Sequence, residues 1–295
     1  AWRECAALYR TNAQSRALEE AMLEQGIPYV IIGAVPFFQR REVKDLIAYL
    51  RYLGNPEDVI ALKRIVNVPS RGIGPKTFLA LLAGKREGLA DRERGAIRRF
   101  EETISALRAG MAERSLAEFL RFLIKTIGYE SYLNDSSPEA ESRRENIREL
   151  VSVARRYDAL PIGEAITAMA EEGALASEQD DLDDDDRVRL MTLHNAKGLE
   201  FGAVFMAGLE EGLLPHARSI QNGRAELEEE RRLCYVGMTR AKTRLYLTWA
   251  LSRTLFGELQ VNMPSRFLRE LPPEVLAGEI GHRDEKLLIT EDDES

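Results

Sequence analysis

Short apolar runs and amphipathic stretches alternate at the start of the chain. Residues 5–9 form an apolar run that predicts a buried strand, and residues 28–32 predict a second strand. Between them lies a helical pattern that begins at the predicted N-cap Asn12, ends before Gly26 and has its apolar positions at Ala17, Leu18, Ala21 and Met22. This order of strand, helix and strand predicts a parallel sheet.

Helical spacing dominates the middle of the chain, and no strand pattern follows Pro69 for more than a hundred residues. Apolar positions predict helices over residues 42–53, 57–66, 78–83, 97–107, 116–127, 144–157 and 162–171. Strand patterns return at residues 188–193, 203–207 and 245–250. The pattern therefore predicts an α/β domain with a parallel sheet, interrupted by an all-helical insertion.

Composition indicates a soluble globular protein. The chain has 295 residues, of which 44% are hydrophobic and 31% charged, and its apolar runs are shorter than the ~20 residues that a membrane span requires. This length suits two domains. The two cysteines, Cys5 and Cys234, lie far apart, which argues against a disulfide scaffold or a cysteine-based zinc site and favours a reducing compartment.

The net charge of −8 at first counts against a nucleic-acid partner. However, residues 178–186 contain seven acids, and residues 279–295 carry a net charge of −5. Because runs of like charge are usually solvated, we predict a linker in the first segment and a disordered tail in the second. Without them the chain carries +4, so its folded part is mildly basic.

Polar residues follow two of the predicted strands, where parallel α/β sheets commonly bind ligands. After the first strand, Tyr9 could stack on a base and Arg10 could reach a phosphate, although an ordinary strand end is the alternative. A second string follows the strand that begins at Val188. Its phosphate-binding candidates are Thr192, His194 and Lys197, with Gly198 for close backbone approach and Glu200 as an acceptor for a ribose hydroxyl.

A third string, residues 228–242, has helical spacing. Its core-facing side is predicted to carry Leu233, Tyr235 and Met238, and Arg240 falls near the end of the helix. The acids and arginines at 228–232 could be only intrahelical pairs on a solvated face, but that explanation does not extend to Arg240.

Together these strings resemble the C-terminal half of superfamily 1 DNA helicases of the UvrD, PcrA and Rep type. Residues 7–16 (ALYRTNAQSR), 192–201 (TLHNAKGLEF) and 228–242 (EEERRLCYVGMTRAK) are similar to helicase motifs IV, V and VI. The resemblance extends to about residue 278 and includes residues 37–46 (FFQRREVKDL), 67–74 (NVPSRGIG) and 264–268 (PSRFL).

The resemblance implies how ATP would bind. Arg10 and Arg240 would be the catalytic groups that contact the γ-phosphate, and Arg240 would act as an arginine finger. Tyr9 would stack on adenine. The complete implied nucleotide-binding set is Tyr9, Arg10, Lys197, Gly198, Glu200 and Arg240.

The resemblance also implies DNA contacts. Single-stranded DNA would run past Thr192 and His194, beside the loop from Phe37 to Arg40, although Phe37 could equally be a core residue. Duplex DNA would meet a glycine turn that enters a helix at Pro75, whose free N–H groups could bind phosphate; a plain turn is the alternative. The implied DNA-binding set is Phe37, Arg40, Arg71, Gly72, Gly74, Lys76, Thr77, Thr192 and His194.

In that family two RecA-like domains, 1A and 2A, close on ATP, and each carries a helical insertion, 1B or 2B. The resemblance implies that residues 1–67 and 187–278 form domain 2A, residues 68–186 form domain 2B, and residues 279–295 form the acidic tail. The sequence lacks the phosphate-binding motif G-x-x-x-x-G-K-[ST] and the acid pair that follows it, which domain 1A would supply together with the Mg²⁺ ligands.

The resulting expectation is the C-terminal half of an ATP-dependent 3′ to 5′ DNA helicase that acts in repair. The chain has no signal-peptide pattern and begins at Ala1, which suggests a cytoplasmic fragment of a longer protein, associated with the nucleoid. Its expected partners are single-stranded and duplex DNA, the missing 1A/1B half and repair proteins, but no membrane. The alternatives are a DNA- or partner-binding module without ATP and a subunit of a helicase-nuclease.

Overall fold

The computed structural model describes residues 1–133, 138–178, 186–255 and 258–276. The predicted acidic linker falls largely on residues 179–185 and the predicted tail on residues 279–295, and both of these ranges lie outside the described residues. The predicted α/β fold with a helical insertion is confirmed.

A five-stranded parallel sheet forms the framework of the first unit. Its strands are β1 (Cys5–Tyr9), β2 (Tyr29–Ile32), β3 (Val188–Thr192), β4 (Phe201–Ala207) and β5 (Ala241–Thr248). They lie side by side in the order β2-β3-β1-β4-β5, so the strand after the helical insertion returns between β2 and β1. All five strands overlap the predicted apolar runs.

Helices pack on both faces of the sheet. Helix α1 (Ser15–Glu24) covers Ala7, Tyr9 and Leu190 on one face. On the other face, α11 (Arg224–Met238) and α12 (Arg266–Arg269) bury a cluster centred on Leu8, Met191, Val204 and Met206. The alternation of buried side chains along β1 follows from the two-residue period of a strand.

Three elements beside the sheet were missed by the sequence prediction. Besides α12, these are helix α10 (Ala217–Asn222), which precedes α11, and an antiparallel hairpin of β6 (Ser252–Leu255) and β7 (Glu258–Val261). The hairpin lacks a two-residue Asn-Gly or Asp-Gly turn signal, since Phe256 and Gly257 separate its strands.

The second unit is helical. Its helices are α2 (Arg41–Gly54), α3 (Val59–Ile65), α4 (Pro75–Leu82), α5 (Asp91–Met111), α6 (Leu116–Thr126), α7 (Tyr129–Tyr132), α8 (Pro138–Ala154) and α9 (Ile162–Glu178). Its buried core extends from Phe37 to Met169. Residues 37–66 bury their apolar side chains in this core. The domain boundary between residues 67 and 68 stays a prediction.

Polar contacts join the two units along helix α8. Arg16 of α1 forms an ion pair with Glu149 of α8, and Arg40, which also donates to Asn146 of α8, donates to Ser15 Oγ of α1 at 2.7 Å. His216 Nε2 lies 3.3 Å from Glu145 Oε1. Helix α8 therefore lies against the carboxyl ends of the sheet strands, where two of the sequence motifs converge.

Candidate functional site

The parallel sheet separates the predicted site residues into two groups. The register pairs Leu8 with Met206 and Phe201 with Ala241. Arg10 therefore lies beyond the carboxyl ends of the strands, the carboxyl edge, whereas Arg240 lies at the amino ends of β4 and β5, the amino edge. At about 3.3 Å per residue, roughly 25 Å separates the two backbones. The two arginines therefore lie at opposite edges in this structure, and the expectation that both contact one γ-phosphate stays a prediction.

Arg240 is held at the amino edge by neutral acceptors. Its Nε donates to Val236 O at 2.9 Å, its Nη1 to Leu199 O at 3.0 Å and its Nη2 to Thr239 Oγ1 at 3.0 Å. Among the residues that the structure describes, no carboxylate forms an ion pair with this guanidinium. The side chain is thus oriented while its positive charge remains available to an anion.

Glu200 shares this edge, because it immediately precedes β4. Glu200 and Lys242 are both more than half exposed, with Lys242 Nζ 3.8 Å from Glu200 Oε2. Lys197 and Gly198 are exposed in the preceding turn, where Gly198 has a φ of +86° that favours glycine. An exposed ion pair of this kind is weak, so Glu200 can exchange its partner for another donor at little cost.

Arg10 forms a buried ion pair at the carboxyl edge. Its Nε lies 3.0 Å from each oxygen of Glu230, and its Nη2 lies 2.7 Å from Oε1. Glu230 also accepts from the Ser219 hydroxyl at 3.2 Å and from the backbone N–H of His216 at 3.1 Å. Burial raises the pKa of Glu230, but these hydrogen bonds and the charge of Arg10 outweigh it and hold the pKa below its usual range.

Tyr9 is a core residue. Only 1% of its surface is exposed, and its ring packs with Ala7, Tyr29 and Leu190 on the sheet face that α1 covers. The ring presents no free face to a base in this structure, and the expectation that it stacks on adenine stays a prediction. The two-residue period of β1 explains why, since it directs Tyr9 to the same face as Ala7.

His194 lies exposed at the carboxyl edge, and Thr192 lines the same place with only 8% of its surface exposed. Asn195 fixes this turn, because its Nδ2 donates to Ile32 O at 3.3 Å and to Gly33 O at 3.2 Å. Desolvation of the ring, followed by the charge of Arg10, lowers the pKa of His194 below its usual value. Its imidazole is therefore neutral at pH 7 and acts as a hydrogen-bonding group.

A cleft of about 520 Å³ opens between this edge and helix α8. Hydroxyl, amide and imidazole side chains line its sheet side, and Glu141 and Glu145 approach from α8. Arg218, at the start of α10, is exposed in the cleft. The residues that line the cleft opposite α8 are Arg10, Thr11, Asn12, Gly33, Thr192, His194, Asn195, His216, Arg218, Ser219, Asn222 and Glu226.

The loop from Phe37 to Arg40 belongs to the interior. Phe37 is fully buried, and Arg40 is 6% exposed. The Arg40 guanidinium donates to Val35 O at 3.0 Å and to Ser15 Oγ at 2.7 Å, in addition to its bond with Asn146. Both Phe37 and Arg40 are buried in this structure, and their contacts with DNA stay a prediction.

Arg71 closes the loop that precedes α4. Its Nη1 donates to the carbonyl oxygens of Ile65 and Val68 at 3.0 Å, and its Nη2 donates to Tyr49 Oη at 2.7 Å. Its guanidinium also lies 5.5 Å from the centre of the Phe100 ring. These contacts hold Arg71 in the loop, and its role in binding DNA stays a prediction.

The remaining candidates for binding duplex DNA lie at or just before the start of α4, and they differ in their exposure. Thr77 is 2% exposed and donates to Glu93 Oε1 at 3.2 Å, which contradicts a phosphate contact. Lys76 is 73% exposed, and Gly72 and Gly74 are exposed in the turn. Gly74 is the N-cap and carries no capping side chain, so the first N–H groups of α4 stay open beside Lys76.

Helix α11 agrees with its predicted orientation at Leu233 and Met238, which pack against the core, and differs at Tyr235. Its buried positions are Glu230, Cys234 and Gly237, whereas Tyr235 is 68% exposed. The predicted pairs on the solvated face are present, as Glu228 with Arg231 and Glu229 with Arg232. The sequence interpretation missed Glu230, which has the same residue type as its two exposed neighbours and differs only by its place on the buried face.

Gly237 allows α11 to approach the sheet closely. A Cβ at this position would clash with Leu193 Cδ2 and stand 2.9 Å from Met206 Cε, and both side chains are buried. We expect Gly237→Ala to lower the free energy of unfolding by roughly 1–3 kcal/mol in urea denaturation, because the core cannot yield without strain. Gly95→Ala in α5 is the control, since its Cβ would stand 3.4 Å from its nearest neighbour. An unchanged midpoint for Gly237→Ala would contradict the close packing.

The sheet, its helical insertion and the motifs at its two edges define a helicase domain. The chain belongs to the family of UvrD-like helicase C-terminal domains, which it matches over residues 1–252. ATP-dependent DNA helicase PcrA of Staphylococcus epidermidis strain ATCC 35984 is 41% identical over 299 residues, covering 95% of this chain and 41% of the relative. PcrA of Bacillus subtilis strain 168 is 41% identical over 296 residues, covering 92% of this chain and 40% of the relative. The chain thus spans about two fifths of these relatives.

The described residues contain neither a membrane-spanning helix nor a candidate metal site. None of the helices in these ranges is long and apolar enough to cross a membrane. Over the same residues, no group of three or more His, Cys, Asp or Glu side chains is arranged to hold a metal ion.

Proposed function

We propose that this chain is the part of an ATP-dependent DNA helicase that meets the nucleotide with its amino edge and single-stranded DNA with its carboxyl edge. The observation that carries the proposal is the guanidinium of Arg240, which is oriented by three neutral acceptors and has no carboxylate partner among the described residues. Family membership supplies the class of reaction, and the PcrA relatives are ATP-dependent DNA helicases.

At the amino edge, Arg240 binds the γ-phosphate and stabilises the charge that develops during phosphoryl transfer. Lys197 adds a second cation, and Glu200 accepts from the ribose hydroxyls. A phosphate chain fits here because no carboxylate among the described residues neutralises the Arg240 guanidinium, and because the turn at Gly198 leaves the backbone accessible. Mg²⁺, which would neutralise phosphate charge when bound, takes its ligands from the part of the longer protein that lies outside this sequence.

At the carboxyl edge, His194 and Arg218 contact the DNA backbone, and the amide and hydroxyl groups of the cleft contact sugars and base edges. A neutral imidazole suits a motor that must release each phosphate as it moves. In the helical unit, Lys76 and the open N–H groups of α4 contact the duplex, with Gly72 and Gly74 permitting close approach. Arg10, Arg40, Arg71 and Thr77 are not part of this proposal as ligand contacts.

The longer protein would move 3′ to 5′ along one strand and unwind duplex DNA in repair, in the cytoplasm at the nucleoid. Nucleotide would draw this chain and its missing half together, which would bring Arg240 to the phosphate. Hydrolysis would let the two halves part while their grips on DNA alternate. Because the phosphate cradle is expected on the other half, this chain alone should not hydrolyse ATP.

Mixing the two halves tests the proposal. The chain alone, with ATP, Mg²⁺ and an oligo-dT strand, is expected to bind the strand with a salt-dependent Kd and to hydrolyse no ATP above background. Addition of a separately produced N-terminal half should restore DNA-stimulated hydrolysis, measured as phosphate release. Hydrolysis by the purified chain that Arg240→Ala abolishes would contradict the division of roles, and DNA binding without any restored hydrolysis would favour a module that does not use ATP.

A further inference from the structure

A cleft in the helical unit takes no part in the proposed function. It has a volume of about 570 Å³ and lies between α6, α7 and the second half of α8. Its floor is apolar, because Ile124 of α6 and Ile147 and Val151 of α8 line it and are at most 5% exposed. A cleft with such a floor favours a ligand that brings apolar side chains of its own.

Cations surround this floor. Arg121 and Lys125 lie one turn apart on α6, both are exposed, and neither forms an ion pair within the part of the chain that the structure describes. Arg148 lines the cleft from α8, and its side chain, which contacts Glu141 Oε1 at 3.4 Å, is 49% exposed. Among the described lining residues, Glu130 is the one acid. Because like charges one turn apart on a helix repel each other, an anionic ligand would relieve the repulsion along α6.

The acidic tail, residues 279–295, combines the two properties that suit this cleft. Residues 287–289 are the apolar triplet LLI, and residues 291–294 are the acidic run EDDE. Solvation explains a run of acids but not the apolar triplet beside it. The other acidic run, residues 178–186, has seven acids but a single large apolar side chain, Leu182. Charge and apolar content together therefore favour the tail as the ligand.

We propose that residues 287–294 of this chain bind in the cleft between α6 and α8, with the apolar triplet on the floor and the acids beside Arg121, Lys125 and Arg148. The chain is long enough to reach this place. Eleven residues separate Leu276, the last described residue, from Leu287, and an extended chain spans about 36 Å over that length. The tail follows the sheet unit, whose strand β6 contacts α8, and the 17 residues of α8 extend over roughly 25 Å.

Covalent attachment of the tail makes a weak contact sufficient. A short flexible connection gives an effective concentration on the order of 1 mM, so a segment with a Kd of about 0.1 mM fills the cleft in roughly nine molecules of ten. DNA suits the cleft less well. Surfaces that bind DNA are more polar than other interfaces, and a phosphate backbone would leave the floor of Ile124, Ile147 and Val151 uncovered.

Trypsin tests the proposal, because it cleaves after Lys286, at the border of the proposed contact, and reaches only the unbound fraction of the tail. The purified chain carrying both Arg121→Glu and Lys125→Glu is expected to release residues 287–295 about tenfold faster than the wild type, since roughly nine tails in ten are bound before the change. Mass spectrometry of the initial release gives the rate. Arg98→Glu with Arg99→Glu is the matched control, because it makes the same change of charge at exposed positions of α5. The test requires neither ATP nor DNA, so its outcome is independent of the proposed function.

A second variant neutralises the tail, as Glu291→Gln, Asp292→Asn, Asp293→Asn and Glu294→Gln. It should speed release to a similar degree, and combining it with the two changes on α6 should add nothing further, as expected for groups in direct contact. It also keeps the test valid if the α6 variant unfolds, which thermal unfolding reveals. Equal release from the wild type and the α6 variant, or additive effects of the two sets, would overturn the proposal. Unchanged release together with a weaker affinity of the α6 variant for a duplex oligonucleotide would also overturn it and would assign the cleft to DNA.

Discussion

Replacing Arg240 by alanine in the full-length protein is expected to lower DNA-stimulated kcat by roughly 10³–10⁵, the range of arginine fingers in phosphoryl transfer. The effect is large because Val236, Leu199 and Thr239 already orient the guanidinium, so its reorganisation in the transition state costs little free energy. Steady-state phosphate release at saturating ATP and DNA measures it. The KM for ATP should change much less than kcat, since the contact strengthens as charge develops.

Two further variants make this result specific. Arg240→Lys keeps a cation but cannot satisfy three acceptors and still present a planar face to phosphate, so most of the loss should remain. Arg244→Ala removes an exposed arginine from the same strand, β5, and should leave kcat within about twofold. A loss of less than tenfold in Arg240→Ala, with normal folding by thermal unfolding, would remove Arg240 from the phosphate site.

The elements of the fold could be predicted because apolar spacing is a local property. The runs at residues 5–9 and 188–193 became β1 and β3, and the Gly26 position ended α1 close to its predicted end. The hairpin of β6 and β7 was missed because it has no characteristic turn pair and its strands are only four residues each.

The assembly of the site could not be predicted from the same information. Sequence order places Arg10 after a strand and Arg240 before one, but only the parallel register shows that these positions lie at opposite edges. A sequence motif identifies which residues could bind a ligand, whereas the order and register of the strands determine which of these residues lie close together. Arg240 and Glu200 lie at one edge and His194 at the other, so the resemblance was informative about residues but not about their grouping.

Arg40 and Arg71 show why the surroundings of a candidate site residue could not be predicted. Arg40 is paired with Asn146, which lies 106 positions away, and Arg71 donates to carbonyl oxygens of its own loop. An arginine near a glycine turn suggests a phosphate contact when only its neighbours in sequence are known. Burial with a full set of acceptors gives the same residue type a structural role, and that distinction requires the tertiary contacts.

Arg253→Ala is expected to destabilise the sheet unit by roughly 3 kcal/mol at neutral pH, because it leaves a buried carboxylate without its ion-pair partner. Glu210 is fully buried and receives Arg253 Nη2 at 2.6 Å, Asn262 Nδ2 at 3.1 Å and the Ala250 N–H at 2.9 Å. These bonds attach the hairpin of β6 and β7 to the segment after β4. Urea denaturation monitored by circular dichroism measures the loss.

The pH dependence of this loss follows from the pKa of Glu210. Burial raises that pKa, but the hydrogen bonds from Arg253, Asn262 and Ala250 outweigh it and hold the pKa below its usual value. The wild-type carboxylate therefore contributes stability above the unfolded pKa of about 4.3, and this contribution is lost as pH falls through the folded pKa. Without Arg253, burial dominates and the pKa rises, so the variant recovers part of its deficit on protonation. The difference between the two proteins should shrink from pH 7 toward pH 4.

Arg266→Ala provides the comparison, because Arg266 makes a similar two-pronged contact with Glu211, the neighbour of Glu210. The Arg266 and Glu211 side chains are 40% and 27% exposed, so water can replace the lost partner and the expected cost is below about 1 kcal/mol. Equal losses for the two variants, or a loss in Arg253→Ala that does not depend on pH, would mean that Glu210 is hydrated or protonated in the folded protein. The attachment of the hairpin would then depend on its backbone and apolar contacts.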